Sequence, residues 1–513
     1  MEVPAIHPGT RALAAPLVAP RAAALLAAFA VVGAAAVRLH GLADKALWFD
    51  ETASVFFARM PVGRMLAVLP ANDPHPPLYY LLLRGWLAWF GDGEAAVRGL
   101  SVMVGVAVVG LTWAFGRRIV GAGPALLAAA LVAVAPSQVA AAQEARMYGL
   151  LVLTGLASWW ALWRAVGTER GSWRAWAVYA LATAAMLYSH YYGVFVVASQ
   201  VAFVAWKGLS AVQWRRAAWA AAGVGLLFAP WVPSFATQLA GGRAWPAHRS
   251  PLTLGALPDA LVAMTTGQPL LRAGPVEFEV PGAALLGLVG FAAAVALGAY
   301  GLRDARLARE RRGLLLAAAL GPLVLAFAVS LGVHVFARRY LLVITPFVAL
   351  LVGAGAAALA GRGGWRAAAA AVGACLVLAP NVAGTVAFAR QPRLDVFDWR
   401  LVARTLAAQA ADGDAIVLLP GFSRIPLDYY YRGPQPRLAL VPDGTDVVAD
   451  DGARLPAVAR RLGAHRRVWL LTAPPVPPAV EALVSALGAR GYAVARIEHV
   501  NAATLVLLEA ASR

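Results

Sequence analysis

The sequence predicts a polytopic, mainly α-helical membrane protein with a small α/β domain at its C-terminal end. Three observations predict it. Of the 513 residues, 61% are hydrophobic and only 14% are charged, with a mean hydropathy of +0.68; a soluble chain of this size needs a more polar surface. The apolar residues are gathered into runs long enough to cross a bilayer, about 20 residues each. From residue 391 onward that pattern stops, and helical periods alternate with short strand-like runs.

About eleven spans are expected, at roughly 21–39, 95–115, 123–141, 148–164, 175–189, 191–206, 217–233, 282–302, 313–333, 341–360 and 367–386. The fifth and sixth are short and are split only by a His-Tyr turn. The 22–37 run has no clear cleavage site and reads as the first span rather than a signal peptide. Basic residues test the count. With a cytoplasmic N-terminus, the cytoplasmic side carries Arg11, Arg21, Arg117, Arg118, Arg164, Arg170, Arg174, Lys207, Arg215, Arg216, Arg303, Arg306, Arg309, Arg311, Arg312, Arg362 and Arg366. These 17 face four acidic residues, Glu2, Glu169, Asp304 and Glu310. Every cytoplasmic connection then obeys the positive-inside rule.

The net charge of +18 does not indicate nucleic acid. Residues 391–513 carry only +2 of it, and the membrane region carries +16, where basic residues set topology. No nucleic-acid recognition module is visible. The single cysteine, Cys375, excludes a disulfide within the chain and a cysteine-based metal site.

The outer connections differ in kind. The first, 40–94, holds LYYLLLRGWLAWF (78–90), too short to span comfortably and rich in aromatics, which suits a helix lying at the interface. A second long connection, 234–281, has several Pro and Gly and no usable periodicity. In the tail, WRLVARTLAAQA reads as helix, and 415–420, 467–472, 492–500 and 504–509 read as strands. The division expected is a membrane domain over 1–390 and an extracytoplasmic α/β domain over 391–513. No G-x-G-x-x-G follows a strand and there is no P-loop, so nucleotide binding has no support.

Five polar motifs fall on the outer side: LWFDE (47–51) with Asp50 and Glu51; DPHPPLYY (73–80) with Asp73 and His75; QEARMYG (143–149) with Arg146 and Tyr148; SHYYG (189–193) with His190 and Tyr191; and RRY (338–340) with Arg339 and Tyr340. Charge at a membrane edge is costly and seldom idle. Each motif also has a plain structural reading. An Asp ahead of E-T-A-S suits a helix N-cap. His75-Pro76-Pro77 suits a rigid helix start. Arg146 and Arg339 can snorkel to the interface, although Arg on the outer side runs against the topological bias. His190 among tyrosines fits an aromatic belt. Together the five supply carboxylates, His, Arg and Tyr, a set suited to holding an anionic group and moving a proton.

In order and spacing, from about residue 20 to 350, these motifs resemble the GT-C superfamily of membrane glycosyltransferases. The likeness is to the group related to bacterial protein O-mannosyltransferases and aminoarabinose lipid A transferases (glycosyltransferase family 39-like). The tail resembles the extracytoplasmic domain that some members carry. The resemblance implies a multi-pass protein of the cytoplasmic (inner) membrane. It implies a polyprenyl-phosphate-linked sugar donor, a cell-envelope acceptor (glycan, lipid or protein) and inverting transfer at the outer face, with polyprenyl phosphate leaving. The family's first-loop carboxylate maps onto Asp50, with Glu51 beside it. Pro74-His75 stands where the lipid A transferases have Glu-Lys, which argues against a lipid A substrate. Asp50 is the expected general base, with Asp73 assisting. Arg146 and Arg339 are expected on the leaving phosphate, with His75, His190, Tyr148, Tyr191 and Tyr340 around donor and sugar. Asp50, Glu51 and Asp73 are also the candidate ligands of a divalent cation, Mg or Mn. The competing reading is a transporter or flippase of a lipid-linked anion. That reading calls for midplane charges in broken helices with repeat symmetry, and the sequence places its charges at one edge.

Overall fold

A computed structural model describes residues 20–167, 172–240, 253–266, 283–333, 335–390, 398–439, 460–472 and 479–511. Arg11, Arg170, Glu2, Glu169 and parts of the 234–281 connection (241–252 and 267–282) lie outside the described residues. The chain forms two compact units. One comprises Met1–His40 and Ser101–Arg390; the other comprises Gly41–Leu100 and Gln391–Arg513.

In chain order the helices begin with α1 (Pro20–Leu39), α2 (Phe49–Arg59), α3 (Val62–Asn72), α4 (Leu78–Phe90), α5 (Glu94–Ile119) and α6 (Ala122–Val134). Next come α7 (Pro136–Ala142), α8 (Tyr148–Val166), α9 (Trp173–Ser189), α10 (Gly193–Lys207), α11 (Ala211–Phe228) and α12 (Val232–Ala240). They are followed by α13 (Ala256–Thr266), α14 (Ala283–Arg303), α15 (Arg309–Ser330), α16 (Thr345–Ala360) and α17 (Trp365–Arg390). Among the described residues eight helices are long and apolar enough to cross a membrane, or nine if α6 and α7, bent by 59°, form one broken span. The bend falls at Ala135-Pro136, where proline cannot donate to the ladder. The two expected spans outside that count are α9 and α10, the short pair divided at His190–Tyr192. The protein is a multi-pass membrane protein.

The first unit is built around α16, which is apolar on all sides and lies among other helices. Small residues allow close approach. A Cβ on Gly355 would stand 1.7 Å from the Leu297 carbonyl oxygen of α14, and one on Gly353 would stand 2.3 Å from the Pro124 carbonyl oxygen of α6. Polar residues join α8, α9 and α10 inside the bundle. Ser158 meets Thr183 at 2.8 Å, Gln200 donates to Ser158 at 2.9 Å, and Tyr179 donates to Gln200 at 3.0 Å.

The second unit joins the first-loop helices to the tail. Pro76-Pro77 opens α4, and Gly91, at φ 76°, closes it. Tyr79, Tyr80 and Leu83 are buried on α4, while Leu82, Trp89 and Phe90 are exposed, an amphipathic division. The tail continues with α18 (Trp399–Gln409), N-capped by the Asp398 side chain accepting from Leu401 N, and α19 (Arg424–Tyr430). Its sheet comprises β1 (Ala415–Leu419), β2 (Arg437–Ala439), β3 (Arg467–Thr472), β4 (Tyr492–Val500) and β5 (Ala503–Ala510) in the order β2-β1-β3-β5-β4. β1 runs parallel to β2 and β3; β5 is antiparallel to β3 and β4. Four of the five strands are those expected from sequence. β2, of three residues, carries too short a pattern to read. Apolar clusters cover the sheet, one including Leu462, Leu483 and Leu487, the other including Trp399, Leu406 and Leu427.

Candidate active site

The first-loop carboxylates are held in the second unit. α2 starts at Phe49, two residues earlier than an Asp50 N-cap would have it, and Glu51 takes the capping work. Its Oε2 accepts from the Trp48 amide at 3.3 Å, the return half of a capping box. Both Glu51 oxygens also accept from Arg98: Nε to Oε1 at 2.8 Å and Nη2 to Oε2 at 2.6 Å. The remaining Arg98 donors go to backbone carbonyls, Nη1 to Leu42 (2.8 Å) and Lys45 (2.9 Å) and Nη2 to Ala46 (2.9 Å). All five guanidinium N–H groups are therefore used. Glu51 is 1% exposed and Arg98 2%, so the pair is a dry clamp that folds residues 42–46 back against the start of α2. Asp50, its sequence neighbour, is half-buried. One helical residue is a turn of about 100°, and that rotation separates an inward carboxylate from an accessible one.

Asp73 caps the C-terminal end of α3. Its Oδ1 accepts from the His75 amide at 2.9 Å and lies 2.6 Å from His75 Nδ1. Both side chains are buried. A carboxylate on Nδ1 fixes the imidazole's tautomer and orientation, so Nε2 is the nitrogen that chemistry would use. With Glu51 turned to Arg98 and Asp73 to His75, the three acidic candidates do not converge. Among the described residues no group of three or more His, Cys, Asp or Glu side chains is placed to hold a metal ion. The Glu51 and Asp73 carboxylates are engaged by Arg98 and His75.

In the first unit three motifs distant in sequence meet. The Tyr148 and Tyr340 rings stack at 5.8 Å, His190 lies 4.3 Å from Tyr340, and Tyr192 lies 4.9 Å from Tyr340. Arg339 Nη1 donates to the Tyr148 hydroxyl at 3.3 Å, and its guanidinium sits over that ring at 5.8 Å. Arg146 is buried in the turn ahead of α8, its backbone folded so that Arg146 N donates to Glu144 O at 2.8 Å. Tyr192 accepts from the Ala337 amide at 2.9 Å and donates to the Val335 carbonyl, which ties the His-Tyr-Tyr turn to the Arg-Arg-Tyr segment. Tyr191 faces elsewhere. Its hydroxyl accepts from Trp231 Nε1 at 2.9 Å and donates to Gln238 of α12. Arg338 also differs from Arg339, pairing with Asp259 of α13.

The turn that carries Arg146 and Tyr148 is anchored by Gln143, at the head of the same motif, and by Arg38, outside it. Gln143 Nε2 donates to the Arg38 and His40 carbonyls, both at 2.9 Å, satisfying the end of α1. Arg38, fully buried, donates to the Ala133 (2.8 Å) and Val132 (3.2 Å) carbonyls where α6 ends before Pro136. The signal that flagged Arg146 and Arg339, Arg on the side disfavoured for basic residues, applies equally to Arg38 and Arg98.

Comparison with known proteins follows this geometry. The family model described as dolichyl-phosphate-mannose-protein mannosyltransferase matches residues 74–247, a stretch that contains His75, Arg146, Tyr148, His190 and Tyr191. The structure of ArnT from Cupriavidus metallidurans bound to undecaprenyl phosphate superposes with a TM-score of 0.62 at 13% identity, over 96% of this chain and 98% of that one. At this identity the likeness shows a shared fold. The fold is also shared with the archaeal oligosaccharyltransferase AglB from Archaeoglobus fulgidus, in complex with an inhibitory peptide and a dolichol-phosphate. That match has a TM-score of 0.53 at 13% identity, over 87% of this chain and 69% of AglB. The mycobacterial arabinofuranosyltransferase AftD matches with a TM-score of 0.54 at 15% identity, over 97% of this chain and 40% of AftD. No curated protein sequence matches the chain.

Proposed function

We propose that this GT-C protein is a glycosyltransferase of the cytoplasmic membrane. It moves a sugar from a polyprenyl-phosphate carrier to a cell-envelope acceptor on the outer face, with inversion. The observation that carries the reading is the assembly of Arg339, Tyr148, His190 and Tyr340 from three separate motifs into one cluster. A cation braced by a phenol and flanked by an imidazole suits a phosphate monoester, the group on which negative charge grows as the sugar departs.

A sugar hydroxyl is a poor nucleophile near neutral pH and needs its proton taken as it attacks the anomeric carbon. Asp50 takes it. Its neighbour Glu51 is committed to Arg98 and serves as a positioning residue. Held by Asp73 at Nδ1, the His75 ring in its protonated form donates from Nε2 to the acceptor or the phosphate. Arg339 and Arg146 receive the departing phosphate, Tyr148 and Tyr340 orient it, and Tyr191, bonded to Gln238 and Trp231, supports the HYY turn from its other side. The C–O bond to phosphate breaks as the C–O bond to the acceptor forms, and the proton ends on Asp50. The tail, residues 391–513, is extracytoplasmic in this reading.

Mass spectrometry of envelope glycans, lipids and proteins from the native host, with and without the gene, tests this. The reading expects one class of molecule to lose the mass of a single sugar and to regain it on complementation. Unchanged envelope chemistry together with an altered leaflet distribution of a lipid-linked anion would contradict it.

A further inference from the structure

The run that leads to Asp50 is irregular from residue 40 to 48, between α1 and α2. Such a segment places a catalytic side chain only if its backbone is held. Arg98 holds it by the Leu42, Lys45 and Ala46 carbonyls. A second set of contacts comes from the tail. The Tyr430 hydroxyl accepts from the Leu47 amide at 2.6 Å and donates to Glu94 Oε1 at 2.6 Å. Arg400 Nε donates to the same Glu94 oxygen at 3.1 Å, and Arg400 Nη2 donates to the Ala43 carbonyl at 3.1 Å and pairs with Glu94 Oε2. Phe422 meets Phe49 edge-on at 5.0 Å, and the Tyr429 hydroxyl donates to the Asp92 carbonyl. Burial, reinforced by Glu94, raises the Tyr430 pKa, so the hydroxyl keeps the proton it donates.

We infer that the tail domain is a positioning element for the base: Tyr430 and Arg400, acting with Glu94, fix the 43–47 run and thereby the place of Asp50. This rests on the reading of Asp50 as the base. Tyr430 and Arg400 act through Glu94 and the backbone of residues 43–47. Their importance follows from the steep dependence of rate on geometry, where a misplacement of about 1 Å can cost on the order of a hundredfold.

The test uses the full chain in lipid nanodiscs. Tyr430→Phe keeps the ring and removes one oxygen; Arg400→Ala removes the fork, and Arg400→Lys returns a charge to Glu94. Amide hydrogen exchange is followed over 42–50 and, separately, over the sheet strands β1 and β3. Sugar transfer is measured with total envelope lipid extract from the native host as the source of donor and acceptor. Binding of undecaprenyl phosphate serves as the donor-site probe. Tyr430→Phe and Arg400→Ala are expected to speed exchange over 42–50 by about fivefold to tenfold, the worth of one or two hydrogen bonds, with β1 and β3 unchanged. The kcat is expected to fall about tenfold with KM and undecaprenyl phosphate binding unchanged, and Arg400→Lys to recover part of it. Unaltered exchange over 42–50 overturns the inference, as does loosening of β1 and β3 in both variants. An unaltered kcat in the face of loosened 42–50 overturns it too. Asp50→Asn measured alongside separates the two claims: wild-type transfer in that variant removes the base reading itself, whereas its loss with normal transfer in Tyr430→Phe and Arg400→Ala removes only the positioning role.

Discussion

Asp50 and Glu51 are adjacent carboxylates, indistinguishable by sequence pattern alone, yet the fold surrounds them differently. Glu51 is sealed against a guanidinium whose five donors are all spoken for, and Asp50 is left half-buried. Removing one member of a buried ion pair leaves the other uncompensated, at a cost of roughly 3–5 kcal/mol. Arg98→Ala is therefore expected to lower the thermal unfolding midpoint in detergent markedly, and by more than Asp50→Asn, whose carboxylate is half-buried rather than sealed. A second contrast concerns phosphate. Arg339→Ala is expected to weaken undecaprenyl phosphate binding by about tenfold or more, as for a charge-assisted hydrogen bond. Arg306→Ala, in the basic connection between α14 and α15, is expected to leave that binding alone; equal effects would remove Arg339 from the phosphate site. The candidate residues were readable because each sits in a polar motif at the edge of an apolar run. Arg38 and Arg98 lie outside every motif, and Gln143 heads one without a chemical signature of its own; the importance of all three lies in backbone carbonyls they reach across the fold.

At the scale of elements, hydropathy located the helices well because lipid demands it: every backbone polar group in the bilayer must be satisfied within a helix or by its neighbours. What hydropathy cannot carry is packing. Gly355 and Gly301 let α14 and α16 touch backbone to backbone, and a Cβ on Gly355 would enter the Leu297 carbonyl. Gly355→Ala must push the helices apart, at an overpacking cost of about 1–3 kcal/mol. Gly225→Ala, on α11 where a Cβ meets nothing within 4 Å, should cost nothing measurable. Thermal unfolding of the two variants side by side checks the difference. The break between α6 and α7 was marked by Pro136 but read through as one span, because the apolar run continues past it. The 234–281 connection had no periodicity to read; α13 is short, and Arg338 secures it from another part of the chain through Asp259.

At the scale of the molecule, the sequence divides the chain by composition, at residue 391, whereas contacts associate 41–100 with the tail. Composition follows what each segment is dissolved in; contacts follow what holds it, and the first loop is held by tail residues such as Tyr430 and Arg400. The topology proposed from basic residues makes a plain prediction: a reporter active only outside the cytoplasm, fused after Arg513, is active, and one fused after Arg215 is not. The central claim, that Asp50 is the base of a sugar transfer from a lipid phosphate, is tested most directly by one comparison. Wild type and Asp50→Asn are reconstituted with host envelope lipid extract, transfer is measured by mass spectrometry of the product, and undecaprenyl phosphate binding is measured on the same samples. The account predicts that Asp50→Asn binds undecaprenyl phosphate as wild type does and loses transfer by about a hundredfold or more, the worth of a positioned general base. Transfer at the wild-type rate in Asp50→Asn would contradict it.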